Sequence, residues 1–193
     1  AIYVINDLCD IQADRVHPRK CHRPFAAGVL SVKKGWLIVP VLLIPSVCLA
    51  SFISTDFLTW LSVYVMLSGL YSWRLRRWVM IDCLLLASLY TLRVIAGASV
   101  VQLPPSFWLL SCTTFLFLSL AFLKRYTELS LHVAPFARGY RPGDAPLIQS
   151  MGIAAGYAAV IILALYLNSQ TILMLYQHPL WFWGVLPILS FWI

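Results

Sequence analysis

Long apolar runs dominate the chain, and short polar segments separate them. Each run is close to the roughly 17–25 residues of a bilayer-spanning helix, and none shows the strict alternation of barrel strands. Six spans are predicted, at about 36–54, 57–73, 79–101, 106–123, 147–167 and from about 171 onward. The pattern therefore predicts an all-α fold, an integral membrane bundle with about six full spans.

Both ends of the chain lie in apolar sequence. The chain begins without Met, on Ala1–Ile5, and stops at Phe191–Ile193 within the last run. We expect residues 1–193 to form a single transmembrane domain that is truncated at both ends, with helices missing before and after it.

The composition supports a membrane location. The 193 residues are 61% hydrophobic and 11% charged, where a soluble domain carries about 25% charged residues. The net charge of +7 could indicate nucleic acid, but the basic residues lie between apolar runs, so we expect no nucleic-acid partner. The five cysteines have no CxxC spacing, which favours a packing role over zinc or disulfides.

Basic residues cluster in three polar segments, at about 6–34, 74–78 and 124–146. These segments hold thirteen of the fourteen Lys and Arg residues: Arg15, Arg19, Lys20, Arg23, Lys33, Lys34, Arg74, Arg76, Arg77, Lys124, Arg125, Arg138 and Arg141. The positive-inside rule places such segments in the cytoplasm. The sequence predicts a multi-pass protein of the cell (inner) membrane, with three motif loops facing the cytoplasm.

Three carboxylates in the first of these loops are candidate catalytic groups. Asp7, Asp10 and Asp14 are spaced three and four apart, which puts them on one face of a helix. Like charges so placed repel one another, and a hard cation would neutralise them; Mg²⁺ takes oxygen ligands and shares its other positions with substrate phosphates. We predict that these three are catalytic metal ligands that hold a diphosphate through Mg²⁺. The competing interpretation is a solvated polar loop.

Neighbouring side chains suit a phosphate-binding role. Asn6 could orient an oxygen or ligate through its carbonyl, while Arg15, Lys20 and Arg23 could contact phosphate or only anchor the loop in the cytoplasm. His17 could be a general base, although a structural role is favoured.

Substrate-binding candidates also occur later in the chain: Tyr71, Arg76, Asp82, Arg93, Lys124, Arg125, Tyr126 and Glu128. Asp82 and Arg93 lie inside a span, on one helix face, which marks a polar cavity or an ion pair; alternatively Arg93 bonds helix carbonyls. Glu128 could instead pair with Lys124 or Arg125 at the helix end, and Tyr71 could be an interfacial anchor.

The motif residues resemble a known family. Asn6-Asp-x-x-Asp-x-x-x-Asp14, followed by Arg15, His17-Pro18, Lys20, Arg23-Pro24 and Ala27-Gly28, resembles the first aspartate motif of the UbiA superfamily of intramembrane prenyltransferases. Tyr71-Ser72, Arg76, Asp82, Arg93 and Gly97-Ala98 are similar to its next block. The resemblance spans most of residues 1–167. It implies nine transmembrane helices around a cavity open to the cytoplasm and to lipid, with this chain running from the end of helix two through about helix eight.

The chain departs from typical aromatic prenyltransferases at the family's second motif. Lys124-Arg125-Tyr126-Thr127-Glu128 stands in place of a second Asp-x-x-x-Asp. This resembles the decaprenyl-phosphate phosphoribosyltransferase branch, which implies Mg²⁺-dependent transfer of 5-phosphoribose from phosphoribosyl pyrophosphate to polyprenyl (decaprenyl) phosphate. The expected partners are a polyprenyl lipid substrate, a diphosphate donor and the bilayer. Two alternatives stay open: transfer of a prenyl group from prenyl diphosphate to an aromatic acceptor of the 4-hydroxybenzoate type, and a membrane transporter.

Overall fold

The structure, a computed structural model, describes residues 1–16, 20–130, 139–169, 172, 174 and 179–192. This part of the chain contains the helices α1 (Ile2–Val16), α2 (Val32–Ile53), α3 (Thr55–Trp73), α4 (Ile81–Val100), α5 (Phe107–Ser130), α6 (Ala145–Leu167) and α7 (Val185–Trp192). Short 3₁₀ turns occur at Lys20–His22, Leu75–Arg77, Pro142–Asp144 and Pro179–Gly184. No strand occurs among these residues, and the all-α prediction is confirmed.

Four of the described helices are long and apolar enough to cross a membrane: α2, α4, α5 and α6. These helices correspond to the predicted spans at 36–54, 79–101, 106–123 and 147–167, and much of the predicted span from about 171 lies outside the described residues. Helix α3 has 19 residues but carries polar side chains such as Ser68, Tyr71 and Ser72. In the last apolar run, the described residues form a 3₁₀ turn and the eight-residue α7.

Consecutive helices pack against one another from α1 to α6, and α1 also contacts α3. The turn between α2 and α3 is a single residue, because Ser54 ends one helix and its Oγ accepts the N–H of Phe57 at 3.0 Å to begin the next. The second contact of α1 matters for function, since it brings the aspartate face of α1 beside α3.

Two predicted motif loops begin inside helices. The first loop was predicted from residue 6, but α1 continues to Val16; the last was predicted from residue 124, but α5 continues to Ser130. Leu8 packs with Phe25 and Val39, and Leu129 lies in the same buried cluster as Phe122. Burial of these apolar residues stabilises a helix beyond the point where the sequence becomes polar.

Gly35 sets the distance between α1 and α2. A Cβ built on this residue would lie 2.7 Å from both Leu8 Cδ2 and Phe25 Cε1. Gly35→Leu is therefore expected to destabilise the protein by about 1–3 kcal/mol, because the added side chain overpacks this contact. Thermal unfolding in detergent measures the effect. Gly69→Leu is the matched control, since a Cβ there meets nothing within 4 Å; equal losses in both variants would contradict the prediction.

Candidate active site

A cavity of about 190 Å³ lies between α1, α3 and α4. It also reaches basic residues of the segments that the sequence predicts to face the cytoplasm. Its lining residues are Ile2, Tyr3, Asn6, Asp7, Asp10, Lys20, Arg23, Tyr64, Ser68, Tyr71, Arg76, Leu86, Leu89, Tyr90, Arg93 and Lys124. The carboxylates and most of the basic residues come from the polar segments, whereas tyrosines and leucines from α3 and α4 line the part inside the bundle. The cavity thus joins a charged mouth to a more apolar interior.

Nine of the predicted site residues line this cavity: Asn6, Asp7, Asp10, Lys20, Arg23, Tyr71, Arg76, Arg93 and Lys124. Six others do not: Asp14, Arg15, Asp82, Arg125, Tyr126 and Glu128. His17, Arg19 and Arg138 lie outside the described residues.

The two carboxylates at the mouth are each paired with an arginine. Arg23 Nη1 lies 2.8 Å from Asp7 Oδ1, and Arg76 Nη1 contacts Asp10 Oδ1. These ion pairs occupy one oxygen of each carboxylate. Burial raises the pKa of Asp7, Arg23 opposes the rise, and the carboxylates of Asp14 and Asp10 add to it. A bound cation would favour the ionised form of this carboxyl.

Asp14 does not line the cavity. It is 4% exposed, and its Oδ2 lies 2.9 Å from Arg23 Nη1. Asp7 and Asp14 are seven residues apart, about 10 Å along a helix, and Arg23 bridges them. In the part of the chain that the structure describes, no three His, Cys, Asp or Glu side chains converge to hold a metal. The three predicted ligands therefore do not form one cluster.

Two carboxylates are nevertheless a suitable donor set for Mg²⁺. This ion is usually held by one or two protein carboxylates, and water and substrate phosphates fill its other positions. Asp7 and Asp10 line the cavity about one helical turn apart, beside cations that suit phosphate. Their role as metal ligands stays a prediction, and so does that of Asp14, which contacts Arg23 beside Asp7 but does not line the cavity.

Helix α3 orients the neighbouring amide. Ser72 Oγ contacts Asn6 Oδ1, and it also donates to Ser68 O at 2.8 Å. With the Arg76–Asp10 pair, this contact joins α3 to α1 on either side of the cavity mouth. The polar side chain of Ser72 on α3 and Arg76 in the turn after it therefore both contact the motif of α1.

Sequence reasoning missed the side chains around Arg93. Arg93 Nε donates to the hydroxyl of Tyr64 at 3.1 Å, and its guanidinium carbon lies 5.0 Å from the ring centroids of both Tyr64 and Tyr90. Ser68 lies one turn after Tyr64 on the same face of α3 and also lines the cavity. The i, i+4 spacing of Tyr64 and Ser68 was the available signal in the sequence.

Asp82 and Arg125 form a buried link outside the cavity. Their side chains are 0% and 2% exposed, with Arg125 Nη2 at 2.5 Å from Asp82 Oδ2. Arg125 also forms an ion pair with Glu128, three residues later on α5. This pairing is the alternative to a substrate-binding role that the sequence allowed for Glu128. Asp82 therefore pairs with α5, whereas Arg93, three turns later on the same helix, lines the cavity and contacts Tyr64 of α3.

Tyr140 completes this link from the segment before α6. Its hydroxyl donates to Asp82 Oδ1 and accepts the N–H of Met80 at 2.9 Å. Burial raises the pKa of Tyr140, and the hydrogen bond to Asp82 adds to the rise, so the phenol remains a protonated donor. Arg15 is likewise engaged away from the cavity, where its Nε donates to Ala26 O at 3.2 Å.

Comparison with known proteins identifies the family. The model of the UbiA prenyltransferase family matches residues 1–193. The chain belongs to the UbiA prenyltransferase family. The resemblance predicted from the motifs is confirmed, and the chain is part of a multi-pass membrane protein of a transferase family. Membership of a family of enzymes disfavours the transporter alternative.

Several curated relatives resemble this UbiA-family chain. It is 36% identical to the uncharacterized protein y4nM of Sinorhizobium fredii over 100% of the chain and 39% of that protein. It is 36% identical to the nodulation protein NoeC of Azorhizobium caulinodans over 89% of the chain and 57% of that protein. Identity to the decaprenyl-phosphate phosphoribosyltransferase of Corynebacterium glutamicum is 38%, over 68% of the chain and 40% of that enzyme. The chain thus spans about 39–57% of the length of these relatives.

Solved structures confirm the fold. A UbiA homolog from Archaeoglobus fulgidus, bound to GPP and Mg²⁺, superimposes with a TM-score of 0.75 at 18% identity, over 99% of this chain and 67% of that one. The same score applies to that homolog bound to DMAPP and Mg²⁺. The helical bundle of this chain is therefore the UbiA fold.

Proposed function

We propose that the protein is a Mg²⁺-dependent membrane transferase that transfers 5-phosphoribose from phosphoribosyl pyrophosphate to a polyprenyl phosphate, such as decaprenyl phosphate. The charge of the cavity carries this proposal. Among its described lining residues, two carboxylates (Asp7 and Asp10) face five basic side chains: Lys20, Arg23, Arg76, Arg93 and Lys124. This excess of positive charge suits substrates that together carry several phosphates. Similarity to the decaprenyl-phosphate phosphoribosyltransferase of Corynebacterium glutamicum supports the same choice.

Asp7 and Asp10 would hold the metal, which when bound neutralises the diphosphate and stabilises the charge that develops on it as it leaves. Arg76 and Arg23 stand beside these carboxylates and would bind phosphate oxygens through paired N–H groups. An oxygen of the acceptor phosphate then forms a bond to the anomeric carbon. The bond from that carbon to the diphosphate breaks, and pyrophosphate leaves with the electron pair.

Lys124 supports this donor over a prenyl diphosphate. It lines the cavity from α5, in the segment where aromatic prenyltransferases of the family carry their second acidic motif. A lysine here adds positive charge for phosphate, whereas a second pair of carboxylates would hold further metal ions. The proposal includes the side of the membrane: the basic segments favour a cavity mouth that faces the cytoplasm, in a protein of the inner membrane.

A second candidate is transfer of a prenyl group from prenyl diphosphate to an aromatic acceptor of the 4-hydroxybenzoate type. The match of residues 1–193 to the UbiA prenyltransferase family favours it. Both candidates use the same carboxylates and release the same pyrophosphate. They differ in which substrate carries the diphosphate.

A comparison of donors tests the proposal. The full protein in lipid nanodiscs with Mg²⁺ receives phosphoribosyl pyrophosphate with polyprenyl phosphate, or prenyl diphosphate with 4-hydroxybenzoate. We expect pyrophosphate release and a product with the mass of polyprenylphosphoryl-5-phosphoribose from the first pair only, and no release from it in EDTA. A prenylated aromatic product with no phosphoribosylated lipid would overturn the proposal in favour of the second candidate.

A further inference from the structure

Arg93 is a cation inside a membrane span. It lies twelve residues into the 20-residue helix α4, roughly 18 Å along its axis from Ile81. Charged side chains at such depth are costly, and they usually face a cavity and pair with an opposite charge. The ion pairs among the described residues do not include Arg93. Within this part of the chain, its positive charge has no carboxylate partner.

Tyrosines from three helices surround the guanidinium at the cavity wall, since Tyr3 of α1 also interacts with Arg93. Tyr64 and Tyr90 place their rings at 5.0 Å from the guanidinium carbon, and the hydroxyl of Tyr64 accepts N–H groups from Arg93. Ring faces stabilise a cation but do not neutralise it. Because the Tyr64 oxygen accepts from Arg93, its own O–H proton is available to donate to an anion in the cavity.

Ser68 adds an unsatisfied hydroxyl to the same wall. It is 3% exposed and lines the cavity, and its Oγ has no hydrogen-bond partner in the structure. A buried hydroxyl without a partner is unfavourable, because no hydrogen bond compensates the loss of its contact with water. Tyr64, Ser68 and Arg93 therefore present unfulfilled donor capacity and positive charge to one region of the cavity.

This region is separate from the diphosphate site. Tyr64 lies seven residues before Tyr71 on α3, about 10 Å deeper along the helix. Tyr71 and the Arg76–Asp10 pair belong to the mouth. One cavity thus contains two positively charged regions, the outer beside the motif carboxylates and the inner within the span.

We propose that Arg93, with the hydroxyls of Tyr64 and Ser68, binds the phosphate monoester of the acceptor lipid inside the membrane. This inference rests on the proposed function, whose acceptor is a polyprenyl phosphate. A phosphate monoester brings the negative charge that Arg93 lacks, and it accepts bonds from a planar guanidinium and from hydroxyls. Two substrates carry this group: the lipid and phosphoribosyl pyrophosphate, at its 5-position. The depth of Arg93 favours the lipid, because a membrane-borne substrate reaches it along the span.

A binding measurement tests the proposal without requiring turnover. The full protein in nanodiscs is titrated with polyprenyl phosphate or with the matching polyprenol, without phosphoribosyl pyrophosphate, and bound lipid is read by native mass spectrometry. We expect the wild type to bind the phosphate at least about tenfold more tightly than the alcohol. Arg93→Gln should remove that preference, Tyr64→Phe should reduce it, and Arg93→Lys should retain part of it.

Matched control variants test whether the loss of preference for the lipid phosphate is specific to Arg93 and Tyr64. Arg77→Gln removes one cation from a segment outside the cavity, and Tyr157→Phe removes one hydroxyl from α6; both should keep the preference. In steady-state assays, Arg93→Lys should raise the KM for polyprenyl phosphate about 3- to 10-fold and leave the KM for phosphoribosyl pyrophosphate within about twofold.

Two results overturn the inference. One is a wild-type preference for the phosphate that persists in Arg93→Gln. The other is an increase in the KM for phosphoribosyl pyrophosphate alone, which would assign Arg93 to the donor's 5-phosphate. If the wild type transfers no phosphoribose but its preference for lipid phosphate depends on Arg93, the proposed function fails while the subsite stands.

Discussion

Asp7→Asn is expected to lower Mg²⁺-dependent release of pyrophosphate by about 10²- to 10³-fold, while the amount of protein in the membrane stays the same. The substitution keeps the shape of the side chain and removes the charge that would hold the cation. Folding should survive because Arg23 retains Asp14 as a partner at 2.9 Å. Pyrophosphate release in membranes, followed as a function of Mg²⁺ concentration, measures the effect.

The chain offers a matched control for this charge. Asp56 lies in the first turn of α3 and does not line the cavity, so Asp56→Asn should leave the rate within about twofold. If Asp7→Asn releases pyrophosphate as fast as the control at every Mg²⁺ concentration, the carboxylate does not hold the metal and the proposed active site is wrong.

The Asp14→Asn variant distinguishes a metal site with two carboxylate ligands from the site with three that the spacing predicted. Asp14 is buried against Arg23 and does not line the cavity. We expect this variant to lower stability and leave the Mg²⁺ concentration at half-maximal rate within about twofold, whereas Asp7→Asn and Asp10→Asn should raise it. A similar rise for Asp14→Asn would restore all three residues as ligands.

Arg125→Met is expected to destabilise the protein by about 3–5 kcal/mol, because it leaves the carboxylate of Asp82 buried without its cation. Asp82 would retain only its hydrogen bond from Tyr140. Thermal unfolding of the purified protein in detergent, with membrane abundance as a second measure, checks the result. Arg77→Met removes an arginine outside the buried link and should change stability by less than about 0.5 kcal/mol.

A double-mutant cycle tests whether the pair is structural. Asp82→Asn with Arg125→Met removes both charges, and the double variant should be less destabilised than the sum of the single variants. If Arg125→Met instead keeps its stability and loses binding of a phosphate substrate, Arg125 contacts the substrate, as the sequence first suggested.

The sequence alone was sufficient for the membrane class, the helical fold and the family. These conclusions depend on local properties: the length of apolar runs, the clustering of basic residues and the Asn6–Asp14 motif. Hydrophobic thickness determines span length whatever the neighbouring helices are. The motif also led to the cavity, because Asn6, Asp7 and Asp10 lie on the face of α1 that packs beside α3.

Only the tertiary structure decided which of the charged residues share a site. Asp14 continues the helical spacing of Asp7 and Asp10. In the folded chain, however, Arg23 lies between Asp7 and Asp14 and forms an ion pair with each of them. Asp82 and Arg93 share a helix, but Asp82 pairs with Arg125 from α5 and Arg93 meets Tyr64 from α3. Partners of a buried charge come from distant positions in the chain, because the low dielectric inside the bundle makes any nearby opposite charge or donor favourable. Spacing along one helix predicts the face of a side chain, and the packing of helices determines what that face contacts.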